Sequence, residues 1–567
     1  MTSTSMRVVF CWHMHQPCYQ DQLGHRYKLP WVYLHAIKDY TDMANILESI
    51  PRAKAVINFC PVLLEQIEDY DLQIREFLNQ NIPLKDELLA LLTETALPVS
   101  VEDRREIIEN CLRANEHRLI HPHKPYAALV DLAKKVKLNE MPLSYLDEQF
   151  FFDLLTWYHL AWLGETVRRS DSRVASLMAR QTDFTHRDRI LLLQIMGELI
   201  GNIIPKYRHL ADMGQIELSV TPYTHPMLPL LLDTDCAREA EPAVTLPELK
   251  YPGGQERVEW QMRKAVESFR HYFGRDPVGC WPSEGGVSEA VLDLLDQQNF
   301  KWVASGGNVL HNSLQANDVE VEQIHRAFQL GDNPIRCFFR DDKMSDLIGF
   351  TYSDWHGDDA ADNLLDHLHS MQKSGNEGGD QVVSIILDGE NCWEYYPNNG
   401  FYFLTALYKK LVRHPEIKMT TFSECLNEKI APQNLDKLVA GSWVFGNFST
   451  WLGNPDKNRA WDLLCKAKSE VDRVFSESQL DPQARERIER QLAICEGSDW
   501  FWWYGDYNPA SSVRDFDALS RLHLSNLYAL LGLDAPRELM QVISAESGED
   551  TERKVELHGV MRRSQQS

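Results

Sequence analysis

The stretch "VVSIILDGENCWEYYPNNG", Val382 to Gly400, opens on six residues of which only Ser384 is polar. A run that short, rich in β-branched side chains, fits a strand buried on both faces. It stops at Asp388. Gly389 permits a sharp turn there, and Glu390 and Trp393 follow within five residues. A buried strand that breaks into a glycine flanked by two carboxylates is what a β/α unit presents when its strand tip carries chemistry.

Working outward, the same arrangement recurs. Further strands are expected at Val8–Trp12, Ala55–Phe59, Ile216–Val220, Val278–Trp281, Trp302–Ala304, Ile335–Phe339 and Lys418–Phe422. Amphipathic stretches separate them, among them Asp42–Ile50, Arg257–Phe273, Ser288–Gln298, Ala360–Met371 and Phe401–Val412. Alternating strands and helices predict an α/β chain with a parallel sheet, and seven or eight units predict a barrel with its functional residues at the C-terminal strand ends. The chain between the second and third strands is long and carries helical periodicity, so residues from around 80 to 213 read as a helical insertion. Beyond residue 430 the pattern becomes helical, with "NRAWDLLCKAKSEVDRVF", "PQARERIERQLAICEG" and "DFDALSRLHLSNLYALLGL". The expected organisation is a catalytic barrel over 1–430, an α-helical domain over 431–543 that contributes to the active site, and a polar, disordered tail over 544–567.

Composition narrows the partners. The 567-residue chain has a formal net charge of −25 and no basic stripe, which argues against nucleic acid and acidic lipid and suits a neutral substrate. The N-terminus lacks the apolar core of a secretory signal, and no run of apolar residues is long enough to span a membrane. The 11 cysteines are odd in number and form no C-x-x-C pair, so neither a disulfide framework nor a zinc ribbon is expected, and a reducing cytoplasm is. Aromatic residues are the unusual feature: 15 Trp, 20 Tyr and 22 Phe, several beside His, Asp, Asn and Gly rather than inside apolar runs. Flat rings next to hydrogen-bonding groups suit sugars, which have apolar faces and polar edges. An aromatic-rich core is the alternative.

Polar clusters close most of the strands. The first runs into "HMHQP", where His13 and His15 are two apart and share a side of an extended chain. The third runs from "GQIELSV" into "TPYTHP", bringing Glu217 and His225. The fourth ends in "WPSEGG", bringing Trp281 and Glu284. Either Glu284 or Asp388 alone reads as a turn residue or a helix cap. Together, at two strand ends and each near a tryptophan, they match the carboxylate pair of glycoside cleavage, one acid for the leaving oxygen and one carboxylate to attack or to activate water. A rival reading gives His13, His15, His225 and an aspartate to a zinc ion, as in metal-dependent deacetylases and some mannosidases. A glucan-binding regulator would need one carboxylate missing, and both are present. The last cluster is "EGSDWFWWYGDYNP", Glu496 to Pro509. One helical stripe cannot hide its consecutive aromatics, so some of them, with Asp499 and the Trp503–Tyr504 pair foremost, are expected at the barrel mouth against sugar. An interdomain seam is the alternative.

These five clusters, in this order, resemble the five signature regions of glycoside hydrolase family 57, over residues 11 to about 505. Their wording is similar to the amylopullulanase and α-amylase-like members and departs from that of the branching enzymes, whose first region usually reads His-Ala-His-Leu-Pro. The resemblance implies an incomplete (β/α)7 barrel followed by a helical bundle, acting on α-glucans with retention of configuration. It implies Glu284 as nucleophile and Asp388 as general acid/base, with His13, His15, Glu217, Trp281, Glu390 and Asp499 lining the donor subsite. His225, Trp393, Trp503 and Tyr504 complete the expected substrate contacts. No metal and no cofactor are implied. Hydrolases and 4-α-glucanotransferases share these regions, so the acceptor stays open between water and a sugar hydroxyl, and oligomeric state is not specified.

Overall fold

The computed structural model of the protein describes residues 6–138, 142–318, 324–374, 381–505, 508 and 510–544. Ten strands form one sheet: β1 (Met6–Met14), β2 (Ala55–Phe59), β3 (Ile216–Val220), β4 (Gly279–Cys280), β5 (Trp302–Ser305), β6 (Phe328–Leu330), β7 (Arg336–Phe339), β8 (Val382–Asp388), β9 (Ile417–Met419) and β10 (Gln433–Leu435). Seven of them, in the order β8-β1-β2-β3-β4-β5-β7, run parallel. The sheet curls until Arg340, just past β7, makes a single parallel bridge to Ser384 of β8. Among the described residues that bridge, with Asp341 N donating to Ser384 O at 2.7 Å, is isolated rather than a ladder between β7 and β8, so the barrel is incomplete. β6 pairs antiparallel with β7, and β10 lies beyond it on the outer edge.

The strands are short and buried on both faces, as helix-covered parallel strands must be. All five residues of β2 are buried, and so are the first six of β8. β4 is reduced to two residues because Pro282 has no N–H to continue a ladder beyond Trp281. Gly279 sits in it because a Cβ there would fall 1.7 Å from the Trp302 ring. The expected strand at Lys418–Phe422 is shorter and earlier: Thr421 Oγ1 accepts from Glu424 N and starts a helix at Phe422. β6 and β10 carry too little apolar pattern to be recognised alone, with only Phe328 and Leu435 buried. Because β10 belongs to the sheet, the sheet extends past residue 430.

Between β2 and β3 runs a helical series that includes Pro61–Gln80, Val101–Cys111, Glu148–Trp162 and His186–Asp212. The last starts on a reciprocal cap between Thr185 and Asp188. After β10 come Pro455–Glu477, Pro482–Cys495 and Ala510–Leu530, the first two with a proline in the first turn and an Asn454 or Asp481 cap. These helices dock on the barrel through a buried ion pair, Arg257 Nε to Glu496 Oε1 at 2.7 Å, and through His523 Nε2, 3.0 Å from Cys18 O. Of the expected tail, only Ser544 lies among the described residues. All eleven cysteines are free thiols. Among the described residues no helix is long and apolar enough to cross a membrane.

Candidate active site

At the C-terminal mouth of the barrel the strand tips surround a cleft that opens to solvent. His13 and His15 enter it from β1, His225 from the loop after β3, Glu284 from the turn after β4, and Asp388 with Glu390 from the end of β8. Asp388 is in register with His13 on the neighbouring strand. Gly389 is required for closeness rather than for an unusual dihedral: a Cβ there would lie 2.0 Å from Met14 Sδ, and its N–H donates to His13 O at 2.7 Å. Glu284 and His225, by contrast, sit in the left-handed region at φ 58° and 62°. Side chains rarely adopt that conformation, and it costs of order 1–3 kcal/mol, here at two residues that face the cleft.

Glu284 is buried and Asp388 half-buried at the cleft, and desolvation pushes both acids upward. Asp388 reaches about 6, held from going higher by the Asn391 amide, 2.6 Å from its Oδ2, and by the nearby His15 and Arg340 side chains. Glu284 is raised well above the ordinary glutamate range by burial and then by the nearby charges of Asp388 and Asp499. Trp443 Nε1, donating to its Oε2 at 2.9 Å, and the Ser498 hydroxyl work against that rise. Donors offset part of the rise at both acids, Trp443 and Ser498 at Glu284 and Asn391 at Asp388. Glu390 is also raised by burial and by Asp388. Its Oε1 accepts from His15 N, Gln16 Nε2 and Tyr40 OH at 3.1–3.2 Å, while its buried Oε2 has no partner among the described residues. That oxygen is placed to accept from a ligand hydroxyl.

The three imidazoles are packed ring on ring, with His15 and His225 centroids 3.7 Å apart. Burial drives His13 down to about 3 and His225 well below the ordinary histidine range, so both are neutral. His13 Nε2 lies 3.0 Å from His225 Nε2, and His15 Nε2 lies 2.9 Å from Asp499 Oδ1. His15, His225 and Asp499 bring one ligating atom each within 4.8 Å of one another, the constellation a metal would need. Hydrogen bonds already account for both His225 nitrogens and for His15 Nε2, leaving His15 Nδ1 as the unpartnered ring nitrogen of those three residues.

The segment after the barrel supplies the remaining wall. Trp443 and Val444 line the cleft from the connector that follows β10, and Trp502, Trp503 and Phe516 line it from the helical region. The aromatic run forms a short helix, Asp499–Trp503, whose residues are all buried. Trp503 stacks on Phe516 with centroids 4.5 Å apart, and Phe501 on Trp461 at 4.4 Å. The run therefore serves as seam and wall at once.

Seven of the twelve expected residues line the cleft: His13, His15, His225, Glu284, Asp388, Glu390 and Trp503. Asp499 stands directly behind His15. Four lie elsewhere. Glu217 is the second residue of β3, three residues or roughly 10 Å below the strand tip. Its carboxylate is taken up by Trp302 Nε1 at 2.7 Å and Ser423 N at 2.9 Å. Trp281 is wholly buried beneath the cleft, edge-on to Trp443 at 5.3 Å. Trp393 packs in the core against Trp12 at 5.4 Å. Tyr504 is fully buried and does not reach the cleft. Sequence reasoning missed Trp443, Ser498, Asn391 and Arg340. Only "GSWVFGNF", around Trp443, carries a legible signal, an aromatic run between glycines like the one at "CWPSEGG".

Comparison with known proteins agrees with this architecture. The family model described as glycosyl hydrolase family 57 matches residues 9–439. A 1,4-alpha-glucan branching enzyme of Thermococcus kodakarensis is 21% identical over 352 residues, covering 53% of this chain and 52% of that enzyme, so the match spans about half the length of this curated relative. A branching enzyme of that family from Pyrococcus horikoshii superposes with a TM-score of 0.58 at 17% identity, over 95% of this chain and 94% of that one. The α-amylase AmyC from Thermotoga maritima does so with a TM-score of 0.56 at 14% identity, over 95% and 96%. The likenesses in structure concern the fold, and they leave the amylase-like and branching subgroups unseparated. The family model spans the strands and turns that place Glu284, Asp388 and the histidines, and on that match the chain belongs to glycosyl hydrolase family 57.

Proposed function

We propose that the protein is a retaining, α-glucan-active enzyme that cleaves α-1,4-glucosidic bonds by double displacement, with release to water as the main outcome. The observation that carries this reading is the pair of carboxyl groups, Glu284 and Asp388, delivered from two strand ends to one cleft and close enough for the charge of Asp388 to raise Glu284. In the first step Asp388 gives its proton to the glycosidic oxygen as the C1–O bond breaks, and Glu284 forms an ester at C1. In the second, Asp388 takes a proton from the acceptor hydroxyl while that oxygen displaces Glu284, restoring both groups. Among the described residues, Glu390 Oε2, His15 Nδ1 and Trp503 Nε1 lack a hydrogen-bond partner at this cleft and suit the hydroxyls of a bound ring. The other expected substrate contacts, His13, His225, Asp499 and Trp503, either line the cleft or brace what does.

A second reading, transfer to a sugar hydroxyl, has a specific observation in its favour. The outer wall is apolar and aromatic, with Trp443, Trp502, Trp503 and Phe516, a surface on which an acceptor sugar can stack in place of water. Two of the similar proteins are branching enzymes, which move a glucan chain to another sugar. Incubation with maltoheptaose and with pullulan, with products resolved by size and anomer, tests both readings. New reducing ends with initial α configuration support hydrolysis. Products longer than the substrate support transfer. Absence of either, or initial β products, overturns the assignment.

A further inference from the structure

We propose that a one-way hydrogen-bond relay, Asn58–His13–His225–Ser498, runs through the barrel mouth to Glu284, and that Asn58 and Ser498 are positioning residues for it. The role given to Glu284 rests on the function proposed above; the direction of the relay does not. The links are short: Asn58 side-chain amide to His13 Nδ1 at 2.7 Å, His13 Nε2 to His225 Nε2 at 3.0 Å, and His225 Nδ1 to Ser498 Oγ at 2.9 Å. Beyond Ser498 stands the Glu284 carboxyl group, whose Oε1 lies 3.9 Å from His225 Nδ1.

The Asn58 end sets the direction from geometry alone, and an ionised Glu284 calls for the same one. A neutral imidazole has one N–H and one bare nitrogen, and a hydroxyl has one proton. At the Glu284 end, a carboxylate can only accept, so the Ser498 proton points to it. Ser498 Oγ must then accept from His225 Nδ1–H, which leaves His225 Nε2 bare to accept from His13 Nε2–H. His13 Nδ1 is then bare and requires a donor from Asn58. At the far end, Thr221 Oγ1 lies 2.8 Å from Trp281 O and 2.7 Å from the Asn58 amide. A carbonyl can only accept, so the Thr221 proton goes to Trp281 O, and Asn58 must donate to Thr221. Both ends thus call for the amide nitrogen of Asn58 toward Thr221 and His13, half a turn from the orientation that points Oδ1 at them. Its oxygen then accepts from the Ser219 hydroxyl across a 3.0 Å contact. The relay supplies Glu284 with a donor that offsets burial and the acids Asp388 and Asp499, in a site that also holds His15, His225 and Arg340.

Enzyme labelled with 15N-histidine, assigned with His13→Gln and His225→Gln, reads the direction without substrate. Long-range 1H–15N correlation at neutral pH is expected to place the His225 proton on Nδ1 and the His13 proton on Nε2. The opposite tautomers at both residues overturn the relay, whatever the activity. In kinetics, Ser498→Ala is expected to lower kcat roughly tenfold or more, with KM within about twofold, and to move the acidic limb of kcat/KM upward. Ser498→Thr, which keeps the hydroxyl, is expected to restore most of it. Unchanged kcat in Ser498→Ala, or a Thr variant as poor as the Ala one, also overturns the proposal. A correct pair of tautomers in an enzyme inactive on every glucan would instead remove the functional reading and leave the relay standing.

Discussion

The barrel tips and the segment after the barrel build the same cleft by different means. From the tips come Asp388, paired in the ladder opposite His13, and Glu284 and Glu390, in the turns that follow β4 and β8. The later segment sends Trp443 to Glu284, Ser498 to His225 and Asp499 to His15, through loops and helices that reach the cleft only by packing. The tips therefore carry the groups placed to react, and the later segment sets which of them are charged and what surrounds them. The division has a physical reason. A reacting atom must be held within fractions of an ångström, which short buried strands do well, whereas donors and apolar walls tolerate the looser placement of a docked helix.

The largest effect should come from the tip that forms the ester. Glu284→Gln is expected to lower kcat by four orders of magnitude or more, because an amide cannot form the glycosyl intermediate, with the melting temperature unchanged or raised. Turnover within tenfold of the parent would reassign the nucleophile. Next comes Asp388→Asn, expected to cost about 10²–10⁴ in kcat on substrates that need leaving-group protonation. The parent kcat/KM is expected to fall as pH rises through about 6, where Asp388 loses the proton it must donate. Stability follows with the sign worked out. The folded acid is raised to about 6 from 3.8, so its contribution is present below pH 3.8 and lost as pH rises through 6. Asp388→Asn should therefore raise the melting temperature at pH 7, by an amount equivalent to about 3 kcal/mol at most, and leave it unchanged near pH 3.5. A variant equally or less stable at pH 7 would contradict the burial argument.

Smaller effects separate seam from wall within the later segment. Trp502 lines the cleft, whereas Trp500 packs on His523 and donates to Ile494 O at 2.7 Å. Trp502→Ala is expected to lower kcat/KM on long glucans about tenfold with a modest melting shift. Trp500→Ala is expected to cost about 3–5 kcal/mol of stability and leave the kinetics of the folded fraction alone. Identical behaviour of the two would erase the distinction between wall and seam. The smallest expected effect is none: exhaustive chelation should leave activity unchanged, since hydrogen bonds account for the His15–His225–Asp499 group. Loss on chelation with recovery on zinc would turn that group into a metal site.

Read alone, the chain determined the alternation of strand and helix, the tips at "HMHQP", "WPSEGG" and "DGENCWEYY", and with them the carboxylate pair, because strand ends and glycine turns are local events written in adjacent residues. Tertiary structure decided the rest. Glu217 reads as a tip residue only until the length of β3 sets it below the mouth and hands it to Trp302 and Ser423. Trp281 and Trp393 sit in the expected motifs but turn inward, a choice set by what packs against them rather than by their neighbours in sequence. β6 and β10 are three residues each and hold through pairing with each other and with β7, a non-local contact that no local pattern announces. Trp443, Ser498 and Asp499 act on partners 159, 273 and 484 residues away in the chain. Separation of that order leaves no periodicity to read, because only folding brings the two ends of such a bond together.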